Sequence, residues 1–271
     1  VIDRQFPAQA ATGAALGVLM GIISQKIKGN AWLLREASMR RYETLIPELE
    51  ALTGEIVPVN RQGILKLCLA GEDQPDWQRL MQIRQEQGWR LESWSRSQVL
   101  ANCPQITSPR VTGAIYSPDD RQIDPKALTL ALVKAAQQRG VTFHFNTVVQ
   151  HLSATKNETD RICHAVETDQ GSIAAEIVVV AAGLGSTPLL QSLEQAIEIR
   201  PVLGQAVRLQ LDQPLGQPNF QPMITGEDIH IVPLGNHEYW VGATVEFPAD
   251  EPTVIPQANP NDLSIVWTGA I

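Results

Sequence analysis

The period of apolar and polar positions changes several times along the chain, and each change predicts an element. From Ala31 to Leu52, the residues Leu34, Ala37, Leu45, Leu49 and Leu52 recur at helical spacing, which predicts one long helix. Pro47 should kink it, and Gly54 suits its C-terminal stop. The run QGILKLCLA, Gln62–Ala70, alternates Ile64, Lys66 and Cys68 with Leu65, Leu67 and Leu69, as a strand does. A second helix is expected over Asp76–Gln87, ended by Gly88, and Gly113–Pro118 reads as a strand. The clearest helix is IDPKALTLALVKAAQQRG, with Asp124 as its cap, Pro125 in its first turn and Gly140 at its end. Val141–Val149, VTFHFNTVV, alternates as a strand. HAVETDQGSIAAEIVVVAAG, His164–Gly183, predicts a β-hairpin whose second strand runs into Gly183. Strands follow one another through RPVLGQAVRLQL, DIHIVPLG and HEYWVGATVE, and the four prolines between Phe247 and Pro260 mark a loop. Tyr239 and Trp240 are expected to pack across strands.

Mixed helices and strands with a β-rich second half indicate α+β modules rather than a clean βαβ series. The length of 271 residues allows one large domain or two closely packed ones, and 44% hydrophobic residues can supply the core. A formal net charge of −8 argues against a nucleic-acid partner, which would need clustered Lys and Arg. No apolar run approaches the roughly 18 residues of a membrane span. Ala14–Ile23 is apolar but short and glycine-rich, with no basic region before it, and is expected to be buried backbone beside the core or a cofactor. Cys68, Cys103 and Cys163 form no C-x-x-C and read as reduced thiols, which points to the cytoplasm. The five histidines lack metal-ligand spacing, so no metal site is expected. Asn157-Glu158-Thr159 is formally a glycosylation sequon, read as coincidence without an export signal.

Ile177–Pro188, IVVVAAGLGSTP, carries the chemistry that most needs a decision. It approaches G-x-G-x-x-G, the turn that lets backbone press against a dinucleotide pyrophosphate, but Pro188 replaces the third glycine. Thr187 can cap a short helix with Pro188 at its first position. On these residues alone, a structural turn and a nucleotide contact are both open, and a primary phosphate cradle is not.

Several stretches, in order, resemble the flavin-dependent D-amino-acid oxidase superfamily, and its glycine oxidase and sarcosine oxidase branch most closely. They are VIDR at Val1–Arg4, QAATGAALGVLMG at Gln9–Gly21, QIDP with its helix, TVV at Thr147–Val149, IVVVAAG, RPVLGQAVRL and IVPLGNHEYWVGATVE. The resemblance implies an α/β fold of α+β character. Its FAD-binding Rossmann-like layer, incomplete in this chain, would draw on residues 1–60 and 140–200. An antiparallel-sheet substrate domain would draw on 61–139 and 201–250, and 251–271 would begin a C-terminal return segment. The family's glycine-rich βαβ unit would precede Val1. Its carboxylate-binding arginine would follow Trp267-Thr268-Gly269, so the chain is expected to be the middle of a flavoenzyme that holds FAD weakly by itself.

By the same resemblance, Asp3 and Arg4 lie at the adenosine ribose. Ala11, Thr12, Leu16, Gly17 and Val18 line the pyrophosphate and flavin, Val149 meets the adenine edge through its backbone, and Ala181, Ala182 and Gly183 are second-tier FAD contacts. For Asp3 the chemistry agrees, because a carboxylate at a strand end accepts ribose hydroxyls and repels a 2′-phosphate. A solvated terminal acid is the alternative. His230 falls where the family often places a carboxylate-binding tyrosine, with an imidazole facing solvent from an edge strand as the alternative. Val245 falls at a pocket wall or in a plain sheet core, and Arg200 is a motif residue or a surface arginine. The implied reaction is oxidation of a small amine or amino acid by hydride transfer to the flavin, with O2 as acceptor. A dehydrogenase on the same fold and a non-catalytic interaction module are the competing readings.

Overall fold

A computed structural model describes residues 1–156, 161–191, 193–194, 197–226 and 229–247. In chain order its elements are α1 (Ala11–Ala14), β1 (Val18–Leu19), α2 (Gly29–Thr53), β2 (Val59–Asn60), β3 (Ile64–Leu69), α3 (Trp77–Glu86), β4 (Glu92–Ser95), α4 (Arg96–Asn102), β5 (Val111–Ser117) and β6 (Arg121–Ile123). They continue with α5 (Pro125–Gln138), β7 (Val149–Lys156), β8 (Arg161–Thr168), β9 (Gly171–Ala174), α6 (Ser186–Gln191), β10 (Ala206–Gln210), β11 (Met223–Gly226), β12 (Ile229–Gly235) and β13 (Glu238–Gly242). The fold is mixed α/β, as the pattern predicts. The chain forms two compact units: Val1–Ala14 with Thr129–Val202, and Ala15–Leu128 with the chain from Leu203 onward.

The larger unit is built on a seven-stranded sheet of order β10-β13-β12-β11-β3-β5-β4. Every pairing in it is antiparallel except β3 with β11. Alternation along each strand sends side chains to opposite faces. One face carries Leu65, Leu69, Ala114, Ile224, Ile231 and Tyr239, and packs on Val99 of α4 and on Cys103, which follows the helix. The other carries Ile64, Met223 and Val232 under Leu16, Val18 and Met20. Farther along this face, Ile115 packs with Ile23 and with Trp77 and Leu80 of α3. The long helix runs from Gly29 to Thr53 with Pro47 inside it, and Gly54 ends it in the left-handed conformation at φ 72°. Asp76 and Asp124 cap α3 and α5 as their positions suggest, accepting Arg79 N and Ala127 N at 2.9 Å each.

The apolar segment Ala14–Ile23 is held by two charged side chains. Asp120 is fully buried and accepts the N–H groups of Gly21, Ile22 and Ile23 at 2.8, 2.8 and 2.9 Å. Arg84 is also fully buried; it donates to the carbonyls of Ile22, Ser24 and Lys26 and lies 3.7 Å over the Trp32 ring. These bonds satisfy backbone groups that an irregular buried segment would otherwise leave unpaired.

The smaller unit corrects two strand expectations. Val141–Val149 is not a strand. Only His144 forms a bridge, parallel to Ile2, and Asn146 turns the chain at φ 52° before β7 begins at Val149. The hairpin expected over His164–Gly183 is instead β8 with β9, the outer strands of a three-stranded antiparallel sheet β7-β8-β9 being β7 and β9. Ile177–Val180 has no regular structure, and Ile177 and Val179 are 84% and 83% exposed. An apolar run becomes a buried strand only with ladder partners, and none runs beside these residues among those described. In the larger unit, RPVLGQAVRLQL is shorter than expected as a strand, with β10 covering Ala206–Gln210 and Leu203 making an isolated bridge to Glu246. The sequon at Asn157 and the segment 251–271 lie outside the described residues.

Candidate functional site

In the smaller unit, the backbone brings Asp3 beside the loop that leads into β7. His144 N donates to the Val1 carbonyl at 2.9 Å, Asp3 N to His144 O at 3.0 Å, and Thr147 N to Asp3 O at 3.0 Å. Asp3 is exposed, and one carboxylate oxygen accepts Gln5 N at 2.9 Å. Val149 follows two residues after Thr147, half-buried at the start of β7. An exposed carboxylate at the end of a bridged segment, next to extended backbone, suits a ribose with its base alongside.

Arg4, Ala11, Thr12, Ala181, Ala182 and Gly183 are likewise exposed in this unit. Gly183 has φ 55° and no atom within 4 Å of the place a Cβ would take, so its surface is open to close approach. The turn it begins leads into α6, which packs on β7.

Except for Arg200, which belongs to the smaller unit, the larger unit holds the remaining candidates. Leu16 and Val18 send their side chains into the core over Met223 and Val232, which leaves backbone as what they can present to a ligand. Gly17 has φ 70°, and a Cβ there would sit 1.8 Å from the Ile123 carbonyl oxygen. The close approach that this glycine permits is to β6.

His230 lies on β12, between β11 and β13, so it is not on an edge strand. Its Nδ1 is 2.9 Å from the hydroxyl of Thr225, itself buried. Val245 is 65% exposed, and Arg200 stands outside β10, paired with Glu198 at 2.6 Å.

The two C-terminal motifs meet each other. Gln205 N donates to Thr244 Oγ1 at 2.9 Å, Thr244 N to Gln205 O at 3.0 Å, and Gln205 Nε2 to Glu246 Oε1 at 2.8 Å. The hydroxyl of Thr244 also bonds Glu246, and these two side-chain bonds hold the Glu246 carboxyl below its ordinary range. Gly204 is required because a Cβ would lie 2.9 Å from Thr244 O. The spacing G-Q…A-T-x-E is therefore a cross-strand lock. Sequence reasoning missed Thr225, Arg84 and Asp120. Only the register of β11 against β12 reveals the first, and nothing in the helical pattern of α3 marks Arg84 as buried.

Residues 1–270 match the family described as FAD dependent oxidoreductase. The chain belongs to that family. Among curated proteins it is 30% identical over 258 residues to the bifunctional protein ThiO/ThiG of Synechocystis sp., covering 95% of this chain and 36% of that one. It is 26% identical over 244 residues to the glycine oxidase of Geobacillus kaustophilus, covering 90% and 63%. A D-amino acid dehydrogenase of Vibrio vulnificus is 32% identical over 146 residues, 53% of this chain and 34% of that protein. The crystal structure of glycine oxidase from Bacillus cereus superposes with a TM-score of 0.81 at 23% identity, covering 98% of this chain and 69% of that one, and shows the shared fold. The chain thus spans between about a third and two thirds of the length of these curated relatives.

FAD is the cofactor of this family, and the residues present fit it. The exposed Asp3 carboxylate offers acceptors for ribose hydroxyls, while Val149 and the open Gly183 offer unobstructed backbone.

Proposed function

We propose that the protein is an FAD-dependent oxidase of a small amine or amino acid, of glycine-oxidase type, with O2 as the final acceptor. One observation supports this reading above the others. The segment Leu16–Met20 and the strand carrying His230 share one face of the seven-stranded sheet, since Leu16, Val18 and Met20 pack on Val232, two residues from His230. A cofactor-side segment and a carboxylate-binding imidazole on one face are what an amino-acid oxidase needs. In this reading, FAD-binding parts lie within 1–60 and 140–200 and substrate parts within 61–139 and 201–250, with 251–271 as a partial return segment.

Bound FAD supplies the acceptor for the two electrons of the amine-bearing carbon. The chain's own residues bind and orient. Asp3, with Arg4 beside it, holds the ribose. Ala11, Thr12, Leu16, Gly17 and Val18 offer backbone along the pyrophosphate and flavin, and Val149 and Ala181–Gly183 complete the adenosine end. His230 donates to the substrate carboxylate, and Val245 stands at the pocket wall. No acid–base pair is required, because a neutral amine held in place releases hydride directly. The unpaired spacing of the three cysteines supports a cytoplasmic location.

A second reading, a dehydrogenase passing electrons to another acceptor, is favoured by the likeness to the D-amino acid dehydrogenase. The test is to purify the full-length protein, record its flavin absorbance, and add glycine, sarcosine or D-alanine without air. Bleaching followed by peroxide on aeration supports the oxidase. Bleaching that persists in air supports the dehydrogenase. A flavin that no amine reduces overturns both.

A further inference from the structure

β1 is an outer strand of the small sheet β1-β6-β2 and is only two residues long. Its register sets Val18 opposite Gln122 and Leu19 opposite Arg121, and Ile123 N donates to Gly17 O at 2.9 Å. Successive residues of a strand turn their backbone groups to alternate sides. Gly17 and Leu19 therefore face β6, and the N–H and C=O of Val18 face the open edge. The side chains are committed elsewhere. Leu16, Val18 and Met20 pack on Ile64, Met223 and Val232, while Leu19 packs with Ile22, Trp32 and Met39. Two ladder pairs alone would leave so short a segment free to shift, and two buried side chains prevent it. Asp120, the residue before β6, holds the N–H groups of Gly21, Ile22 and Ile23. Arg84 holds the carbonyls of Ile22, Ser24 and Lys26, and its Nη1 donates to Gln87 Oε1 at 2.7 Å, which fixes the fork against the end of α3. Gly21 closes the other side, since a Cβ there would lie 2.7 Å from Met39 Cγ on α2.

We propose that Asp120 and Arg84 are positioning residues for FAD, which together hold the open edge of β1 at Val18 in place for the cofactor before it binds. This role rests on the flavin-dependent reading, in which Leu16, Gly17 and Val18 offer backbone along the pyrophosphate and flavin. Neither side chain reaches the ligand, because the polar atoms of both are engaged within the chain. Their contribution is preorganisation. A backbone already fixed by both its N–H and its C=O groups loses little further freedom when a ligand docks on it, so more of the contact energy appears as affinity. The division of labour follows from chemistry. A carboxylate only accepts and a guanidinium only donates, so one takes the amides of the segment and the other its carbonyls.

The test titrates FAD into the full-length protein, followed by flavin fluorescence, for wild type, Asp120→Asn, Arg84→Met and Arg84→Lys. Val99→Ala, a core change on the opposite face of the seven-stranded sheet, serves as the control for general destabilisation. All three clamp variants are expected to weaken FAD by roughly tenfold or more, as the misplacement of one charge-assisted contact would. Charge alone predicts a different pattern. FAD is an anion, so Asp120→Asn would tighten it, Arg84→Met would weaken it and Arg84→Lys would leave it unchanged. That pattern overturns the positioning role, because a lysine keeps the charge but loses the fork. A weakening no larger than that of Val99→Ala, for the same fall in melting temperature, overturns it too. Wild type gives a measurement that needs no variant to fold. Hydrogen exchange at the amides of Gly21, Ile22 and Ile23 should be slow in the apoprotein and change less than twofold on adding FAD. Strong slowing by FAD would show that the ligand orders the segment, and would sink the idea of a preformed edge. FAD held equally by wild type and the clamp variants removes the clamp alone, whereas a wild-type protein that binds no FAD removes the flavin reading and this role with it.

Discussion

Arg84 and Asp120 grip the same residue from its two ends. Arg84 Nε donates to the carbonyl of Ile22 at 2.7 Å, and Asp120 accepts the N–H of Ile22 at 2.8 Å. Burial pushes the Asp120 carboxyl up and the Arg84 guanidinium down to about 10; the bonds from the N–H groups of Ile22, Ile23 and Gly21 oppose the first shift, and the Asp120 charge opposes the second. Asp120→Asn keeps the shape but presents an N–H₂ where an oxygen received Ile23 N. A loss of about 2–4 kcal/mol is expected, since a buried donor loses its acceptor. Thermal melts of the two proteins check it, and unchanged melting would mean that the segment does not depend on this carboxylate.

Glycine positions show both the reach and the limit of the sequence. Gly17→Ala would place a Cβ 1.8 Å from the Ile123 oxygen at a backbone φ of 70°, whereas at Gly185 the nearest atom to a Cβ is Ala182 Cβ at 3.5 Å. Gly17→Ala is expected to destabilise by about 2–3 kcal/mol through strain and backbone displacement. Gly185→Ala should change stability by less than about 0.5 kcal/mol. Urea unfolding midpoints compare the two, and equal midpoints would remove the strain argument.

Gly17 also explains why the site was legible only in part. A sequence shows that backbone must be approached closely there, but it does not say whether a ligand or a neighbouring peptide does the approaching. Here a neighbouring peptide does, at Ile123. The seven-stranded sheet was readable because its strands are half-covered on each face and alternate with period two. Ile177–Val180 was misread because a uniformly apolar run specifies burial without specifying a partner. Thr225 was invisible for a third reason: its meaning depends on a cross-strand register, which one chain segment does not encode alone.

Acid lability should show at Glu43, which receives Arg61 Nη1 at 2.6 Å and Arg121 Nε at 3.1 Å. Partial burial pushes its carboxyl up, but the bond from Arg61 and the charges of Arg121 and Arg61 hold it below its ordinary range. A folded value below the unfolded one means stability that is present above the unfolded value and lost as pH falls through the folded value. Glu43→Gln is expected to be less stable by about 0.5–1 kcal/mol at neutral pH, the worth of exposed pairs. The difference should close at acid pH below the folded value of Glu43, where both proteins lack the charge. Urea midpoints at the two pH values decide it, and a deficit that persists in acid would assign the effect to packing.

Cysteine labelling should follow burial. Cys103 is fully buried in the core over α4, and burial pushes its thiol up to about 11. The thiolate is the nucleophile, so at pH 8 roughly one in a thousand of these thiols is reactive even before access is considered. Cys163, half-buried on β8, should be alkylated by iodoacetamide first. Mass spectrometry of peptides sampled over time gives the order, and early labelling of Cys103 in the folded protein would show that the core opens there.

The cofactor prediction turns on Asp3. Its carboxylate is exposed, with one oxygen engaged by Gln5 N at 2.9 Å, and its backbone is fixed by bonds to His144 and Thr147. A ribose diol would use the remaining acceptor capacity without moving the chain. Replacing the side chain therefore removes charge-assisted bonds and leaves the fold in place, because those fixing bonds are made by backbone atoms. In the full-length protein, Asp3→Ala is expected to weaken FAD by about 1–3 kcal/mol, roughly five- to a hundredfold in affinity. Asp3→Asn should lose less, since its carbonyl still accepts. FAD titration followed by flavin fluorescence measures all three proteins. FAD held equally by wild type and Asp3→Ala would remove Asp3 from the site, and the adenosine end would then have to be sought around Val149 and Gly183 alone.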